Sequence, residues 1–322
     1  MAHHFEVPTL DDLMHEAVDL LQSEGIHITP TKGGCTETAA ATFELTNPRA
    51  RVSRSATRGR LFSALGELCW YFSGSNRTED IAYYVSAYRE LDEDGLIFGG
   101  YGPRLMSFDG VNQVKYVIRA LRDNPFSRKA VIQLFDHQDV TSNHADVPCT
   151  CTMQYLVRDG QLAAITYMRS NDVFLGLPHD VFCFTMLQEY IARSIGAELG
   201  TYHHMVGSLH MYDTNADELG AFLGEGWQAT TQMMPALPPG DPQAGLARLL
   251  SVEHELRTGM PSESINFGPD PYWADLGRLL GVYAVRNGPI EAIERIRSQM
   301  DSNYYDLYIA DRIDRLAQPH WG

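Results

Sequence analysis

One thiol stands where covalent chemistry is feasible. Cys149 follows Pro148 and opens a run with strand-like character, PCTCTMQYLV. A cysteine at such a boundary can be exposed, and nearby cations favour its thiolate. On its own it is one of five, with Cys35, Cys69, Cys151 and Cys183. Packing is the ordinary role of a single cysteine. Cys69 and Cys183 lie among apolar residues (ELCWYF and VFCFTM) that suit a buried, inert thiol. The odd count and irregular spacing do not make a disulfide framework. Cys149-Thr150-Cys151 has no second Cys or His pair at zinc-ligand spacing, so no metal is expected.

Cys149 gains weight from its company. Upstream stand GELCWYF and FSRKAVIQLF; downstream come MRSNDVFLGLPHDVF and GSLHMY. In this order, the Pro-Cys, Arg-Ser-x-Asp-x-x-Leu-Gly-Leu-Pro and His-x-Tyr elements resemble the thymidylate synthase and pyrimidine-nucleotide hydroxymethylase superfamily. The resemblance is strongest over residues 55–225, and it is specific as a set rather than motif by motif. It implies an α+β, thymidylate synthase-like fold with a mixed β-sheet and flanking helices. It also implies that Cys149 adds to C6 of a pyrimidine nucleotide. C5 then becomes nucleophilic toward the methylene of 5,10-methylenetetrahydrofolate.

The same resemblance distributes roles. Arg169 would hold the substrate phosphate near the thiol, and Ser170 would donate to that phosphate. Arg128 and Lys129 match a basic pair that reaches the neighbouring subunit's site, which implies a homodimer. Lys129 keeps the charge of the usual arginine but not its bidentate fork. Lys32, in the Gly-rich stretch PTKGGCT, takes the place of a further phosphate ligand. Glu67 matches a glutamate that manages protons through water; its apolar flanks predict burial and a raised pKa. Asp172 matches the pterin contact. His210 and Tyr212 match the pair that holds a sugar hydroxyl, and Tyr101, in GGYGPR, lines the same pocket.

Departures from the thymidylate synthase pattern carry as much information. Those enzymes read Gly-Leu-Pro-Phe-Asn where this chain has Gly-Leu-Pro-His-Asp. An amide at the last position suits uracil. Cytosine presents a donor at N4 and an acceptor at N3, and a carboxyl group that carries a proton serves both. Asp180 is therefore expected to select cytosine; the alternative is an N-cap for the helix that follows. No tryptophan lies between Trp70 and Trp227, where thymidylate synthases carry one near the folate. A wetter pocket favours addition of water over hydride. Thr150 replaces a frequent His, and Ser208 a frequent Asp.

These features point to a cytidylate 5-hydroxymethylase acting on CMP or dCMP. The whole pattern looks most like the CMP enzymes of nucleoside-antibiotic (mildiomycin-type) pathways. The alternatives are a phage-type dCMP hydroxymethylase, a divergent thymidylate synthase acting on dUMP, and a nucleotide-binding regulator without catalysis.

The elements that must position these residues read as follows. Thr9 and Asp12 cap a helix over 10–23, and ETAAATFEL is a strand. Helices are expected over 60–73 and 111–122, and a strand over 129–135. A hairpin turns at Asp159-Gly160. A helix runs from Asp180 to near Gly196, a strand covers 201–206, and a helix covers 213–223. From 242 onward the pattern is helical. Residues 1–265 are expected to form the catalytic domain, and 266–322 a helical extension packed on it. The net charge of −16 argues against a nucleic-acid partner. No apolar run approaches the roughly 20 residues of a membrane span. The first residues lack a secretory pattern, which makes the cytoplasm the expected location.

Overall fold

The computed structural model describes residues 3–30 and 33–317. Lys32 lies outside the described residues. The chain opens with strand β1 (His3–Val7), helix α1 (Leu10–Glu24), β2 (Ile26–Ile28) and β3 (Cys35–Leu45). Helices α2 (Leu61–Ser73), α3 (Thr78–Ala82), α4 (Tyr101–Met106) and α5 (Gln113–Asp123) follow. Then come β4 (Val131–Gln133), β5 (Thr150–Arg158), β6 (Gln161–Asp172), α6 (Gly176–Ile195) and β7 (Glu198–Tyr212). Helices α7 (Ala216–Gly224), α8 (Gln243–Arg257), α9 (Pro271–Ala284), α10 (Ile290–Arg297) and α11 (Asp306–Ala317) complete the order.

The strands form one mixed sheet in the order β1-β3-β7-β6-β5-β4, with β2 also on β3. β1 with β3 and β6 with β7 are parallel; β3 with β7, β5 with β6, β4 with β5 and β2 with β3 are antiparallel. The β5–β6 hairpin turns where expected, with Asp159 and Gly160 both at positive φ (49° and 76°). That backbone matches the twist of the flanking strands. The fold is α+β, with helices flanking a mixed sheet.

A fault line crosses the sheet at the site. Ala40 on β3, Gly207 on β7 and Arg169 on β6 interrupt the pairing at adjoining positions. Ala40 sits at φ 60°, uncommon for a residue with a side chain. A Cβ on Gly207 would come 2.9 Å from the Tyr167 hydroxyl and 3.0 Å from the Arg169 carbonyl. On β5 the register slips between Thr150 and Thr152. Along β6, residues 162, 164, 166 and 168 are buried, and then the phase shifts to 171 and 173. Irregular pairing of this kind re-aims side chains. Here it turns Asn171 into the core and leaves Arg169 exposed.

Helix α2 is largely apolar and mostly buried, with Glu67 as its one charged residue. It packs on α4, α6, α8 and α9. Helix α6 lies on β6 and β7, with Leu177, Val181, Phe182, Leu187 and Ile191 buried. Arg51, ahead of α2, pairs with Glu189 of α6 at 2.6 Å, both fully enclosed. Helix α10 packs on α9 and on α11, and the Tyr283 hydroxyl on α9 donates to the Tyr83 and Tyr84 carbonyls. No helix among the described residues is long and apolar enough to cross a membrane.

Several expectations need correction. The strand over 129–135 is only Val131–Gln133. The strand over 201–206 runs from Glu198 to Tyr212, because the sheet carries it through Gly200 and Gly207. Helix α6 begins at Gly176, four residues before Asp180. Strands β1 (five residues) and β2 (three residues) are too short to stand out in the sequence.

Candidate active site

Cys149 ends the loop that enters β5. Tyr101, at the start of α4, holds this entry: Thr150 donates to its hydroxyl from both N and Oγ1, each at 3.0 Å. Burial, with Asp180 and Cys149 nearby, pushes the Tyr101 phenol well above its ordinary pKa. Its hydroxyl is thus a neutral anchor for the thiol-bearing loop. Thr150, the departure from histidine, is what uses that anchor. Arg169 extends from the fault line beside the thiol. Its Nη2 lies 3.7 Å from Cys149 Sγ, while Nε and Nη2 donate to the carbonyls of Pro148 (2.9 Å) and Val147 (3.1 Å). Two backbone carbonyls therefore fix the cation against the sulfur, with its outer edge in solvent.

Glu67 projects from the enclosed helix α2 and is 4% exposed. Tyr71 and Tyr88 donate their hydroxyls to Oε1, at 3.0 and 2.7 Å. His179 Nδ1 meets Oε2 at 2.6 Å, and His179 Nε2 meets Ser63 Oγ at 3.1 Å. The expected burial is present, but the expected pKa shift is reversed. Desolvation pushes the carboxyl up, yet the His179 bond and charge, then Tyr88 and Tyr71, together hold it below its ordinary value. Apolar neighbours in the sequence do not reveal three donors brought in from α2, α6 and the segment between α3 and α4. The carboxylate and imidazole form a linked pair that leads out through Ser63.

Asp180 sits one turn inside α6, so it does not cap that helix. It is 8% exposed. Burial, and next the nearby Glu67 charge, push its carboxyl well above its ordinary value, against the one donor, Asn171. Asn171 Nδ2 donates to Oδ2 at 2.8 Å. Asn171 Oδ1 in turn faces His204 Nε2 at 2.8 Å, and His204 Nδ1 faces the Tyr202 hydroxyl at 2.9 Å. Burial therefore favours the protonated form of the acid, and a polar chain running back into the core orients it.

His204 makes a test of this chain. Burial pushes its imidazole from 6.5 down to about 3. The unfolded chain binds the extra proton between those values, so stability falls as pH drops from 6.5 toward 3, by at most about 5 kcal/mol. Urea unfolding across that window is expected to show a steeper loss for wild type than for His204→Gln. Equal losses would contradict a neutral, buried His204.

Beyond the fault line, β6 and β7 run side by side, with Ser170 paired to Ser208 and Asp172 to His210. His210 packs edge-on against Tyr212. Ser208, the departure from aspartate, donates its hydroxyl to Glu37 of β3, so a carboxylate arrives from the next strand. Asp172 accepts from the Phe174 and Leu175 backbone through Oδ1, while Oδ2 is buried without a partner among the described residues. Burial raises the Asp172 pKa against those donors and His210. Arg58 lies over the Phe174 ring at 4.2 Å; burial, then Arg60, push its guanidinium down to about 10. Arg128 and Lys129 are exposed, just ahead of β4.

A cavity of about 280 Å³ opens next to Ser63. Arg60, Arg286, Arg312 and Arg315 line it with Asp311, Tyr283 and Tyr84. Three of those arginines come from the C-terminal helical region, and no motif in the sequence marks their convergence on Ser63.

The architecture is of thymidylate synthase type. Residues 38–236, more than half of the 322-residue chain, match the thymidylate synthase family model, and the chain belongs to that family. Over 149 residues it is 29% identical to a thymidylate synthase of Mycoplasma pneumoniae. The match covers 46% of this chain and 52% of that protein, so the chain spans about half the length of this curated relative.

Proposed function

We propose that this chain is a cytidylate 5-hydroxymethylase, using 5,10-methylenetetrahydrofolate and water to convert CMP or dCMP to its 5-hydroxymethyl form. The observation that carries this reading is Asp180: a buried acid, its pKa pushed well above the ordinary carboxylate range, at the family's base-reading position. Its O–H donates to cytosine N3, and its carbonyl oxygen accepts from N4–H. Uracil presents the opposite pattern at both atoms and leaves buried groups unpaired. Of the two sugars, CMP is preferred on the overall resemblance.

In this reading Arg169 and Ser170 hold the phosphate, and His210 and Tyr212 the sugar. Cys149 Sγ adds to C6 and makes C5 nucleophilic. The folate supplies the one-carbon unit at the oxidation level of formaldehyde. Glu67 and His179 take the C5 proton and later orient the water that adds to the exocyclic carbon. Elimination of Cys149 releases the product. His179 stands where thymidylate synthases carry phenylalanine. A polar, proton-bearing side chain there suits hydration rather than hydride delivery.

Two features support a folate. Asp172 Oδ2, buried and without a hydrogen-bond partner among the described residues, suits pterin N–H donors. The arginine-lined cavity suits the carboxylates of the folate tail. Arg312→Ala with Arg315→Ala is expected to raise the KM for methylenetetrahydrofolate about tenfold or more, with kcat nearly unchanged. An unchanged KM would remove the cavity from folate binding. In the same reading residues 266–322 are an extension of the catalytic domain that shapes this cavity.

The homodimer is also proposed. On the outer sheet face Val131, Tyr167 and Met205 are 39%, 42% and 38% exposed, an apolar surface beside the exposed Arg128 and Lys129. A second copy would cover it and receive both cations in its own site. A monomer in sedimentation at working concentration would contradict this.

The thymidylate synthase activity named for the Mycoplasma pneumoniae relative favours a second reading, methylation of dUMP. Tritium release from C5 separates the two. Release from CMP or dCMP is expected; release from dUMP alone would overturn the cytosine assignment.

A further inference from the structure

Four polar side chains run from the base-reading acid into the core, where apolar residues would be cheaper to bury. Asn171 is 3% exposed, and His204 and Tyr202 are fully enclosed. Their bonds are 2.8 Å from Asn171 Nδ2 to Asp180 Oδ2, 2.8 Å between His204 Nε2 and Asn171 Oδ1, and 2.9 Å between Tyr202 Oη and His204 Nδ1. At the far end Thr166 bonds the Tyr202 oxygen.

The direction of these bonds follows from the chemistry of each group. The Asn171 amide turns Nδ2 to Asp180 and Oδ1 to His204 Nε2, which leaves His204 Nδ1 to accept the Tyr202 proton, while Thr166 donates to the Tyr202 oxygen. His204 then carries its single ring proton on Nε2 and donates to the Asn171 carbonyl oxygen. Every donor points toward Asp180. Among the described residues, Asp180 Oδ1 has no hydrogen-bond partner.

We infer that the Tyr202–His204–Asn171 chain is a specificity device that fixes Asp180 Oδ2 as the carbonyl oxygen and Oδ1 as the hydroxyl. The inference rests on the cytidylate reading and adds residues to it. An isolated carboxylic acid exchanges its two oxygens freely. It offers a donor and an acceptor in either order, and so serves uracil as well as cytosine. With Asn171 donating to Oδ2, that oxygen has one lone pair left for N4–H, and only Oδ1–H faces N3. Asn171, His204 and Tyr202 are thus positioning residues; they act through Asp180 and touch no reacting atom.

A merely structural role predicts lower stability and turnover for any variant, with the same base preference. A polarity role predicts that preference moves. Asn171→Asp replaces the donor by a carboxyl oxygen. Two adjacent carboxyls share a proton, which settles between them on Oδ2, and Oδ1 becomes an acceptor that suits uracil N3–H. Tyr202→Phe is nearly isosteric and removes the proton that sets the direction, so the chain can reverse.

The test is the ratio of kcat/KM for the cytidylate to that for the matching uridylate, in wild type and both variants, with thermal melts to verify folding. Asn171→Asp is expected to lower the ratio at least about tenfold, and Tyr202→Phe to lower it less. If Asn171→Asp fails to fold, Tyr202→Phe decides: an unchanged ratio overturns the inference. A wild-type ratio favouring cytidylate, with unchanged ratios in the folded variants, overturns the inference and leaves the cytidylate reading intact. A wild-type ratio favouring uridylate overturns both.

Discussion

Cys149→Ala is expected to lower turnover by about four orders of magnitude or more while the nucleotide still binds. The reason is chemical. C5 of a pyrimidine is a poor nucleophile until sulfur has added at C6, and no other group in the site replaces that bond. Cys151 cannot substitute, because it follows Cys149 by two positions across the slip in register between Thr150 and Thr152. Burial also pushes the Cys151 thiol up against the pull of Arg169, away from the reactive form. Binding survives because Arg169 is held by the Val147 and Pro148 carbonyls rather than by the sulfur. Calorimetry on the variant should give a nucleotide Kd close to that of wild type. A 5-fluoropyrimidine nucleotide with folate should trap wild type as a covalent adduct and leave the variant unmodified. Undiminished turnover in Cys149→Ala would remove the thiol from the mechanism.

Asp180→Asn is expected to shift base preference from cytosine toward uracil by about a hundredfold or more. The carboxylic acid donates from one oxygen and accepts at the other. The amide also does both, but the Asn171 donor now meets whichever end of the amide lies where Oδ2 was. An amide that turns its NH2 to O4 of uracil and its oxygen to N3–H presents the pattern opposite to the acid; Asn171 flips its own amide to offer oxygen to that NH2, and the chain behind it reverses. The acid also dictates a pH dependence. Its pKa lies well above the ordinary carboxylate range, and the reading form is protonated. Cytidylate kcat/KM is therefore full below that pKa and is lost as pH rises through it. Asp180→Asn has no such titration, so its profile should lack this limb. An unchanged base preference would refute the role of Asp180.

The parts of the candidate site that lie on contiguous motifs can be proposed from the amino-acid sequence. Cys149, Arg169, Ser170, Asp172 and Asp180 fall within PCTCT and MRSNDVFLGLPHD, where order and spacing carry the resemblance. The hairpin is legible for the same reason, since Asp159-Gly160 is a local signal. What the sequence hides is what the sheet assembles. Asn171 and His204 are 33 positions apart and meet only through the β6–β7 pairing and its fault line. Glu37 reaches Ser208 across β3 and β7, and nothing in ETAAATFEL announces it. The sign of the Glu67 shift escapes a local reading because His179 and Tyr88 are distant in sequence. His179 itself is visible, as a departure from phenylalanine, but its partner is not. Asp180 at a helix start suggests a cap, yet the helix begins a turn earlier. The four cavity arginines are invisible as a site because they gather from α11, the turn after α9 and the residue before α2.

One measurement reads base, sugar and final step together: mass spectrometry of the product formed from CMP, dCMP and dUMP, each with methylenetetrahydrofolate. A cytidylate hydroxymethylase yields a product from CMP or dCMP that is heavier by one formaldehyde unit, and none from dUMP. A product from dUMP alone, heavier by one methylene unit, would contradict the role given to Asp180 and identify the chemistry as methylation.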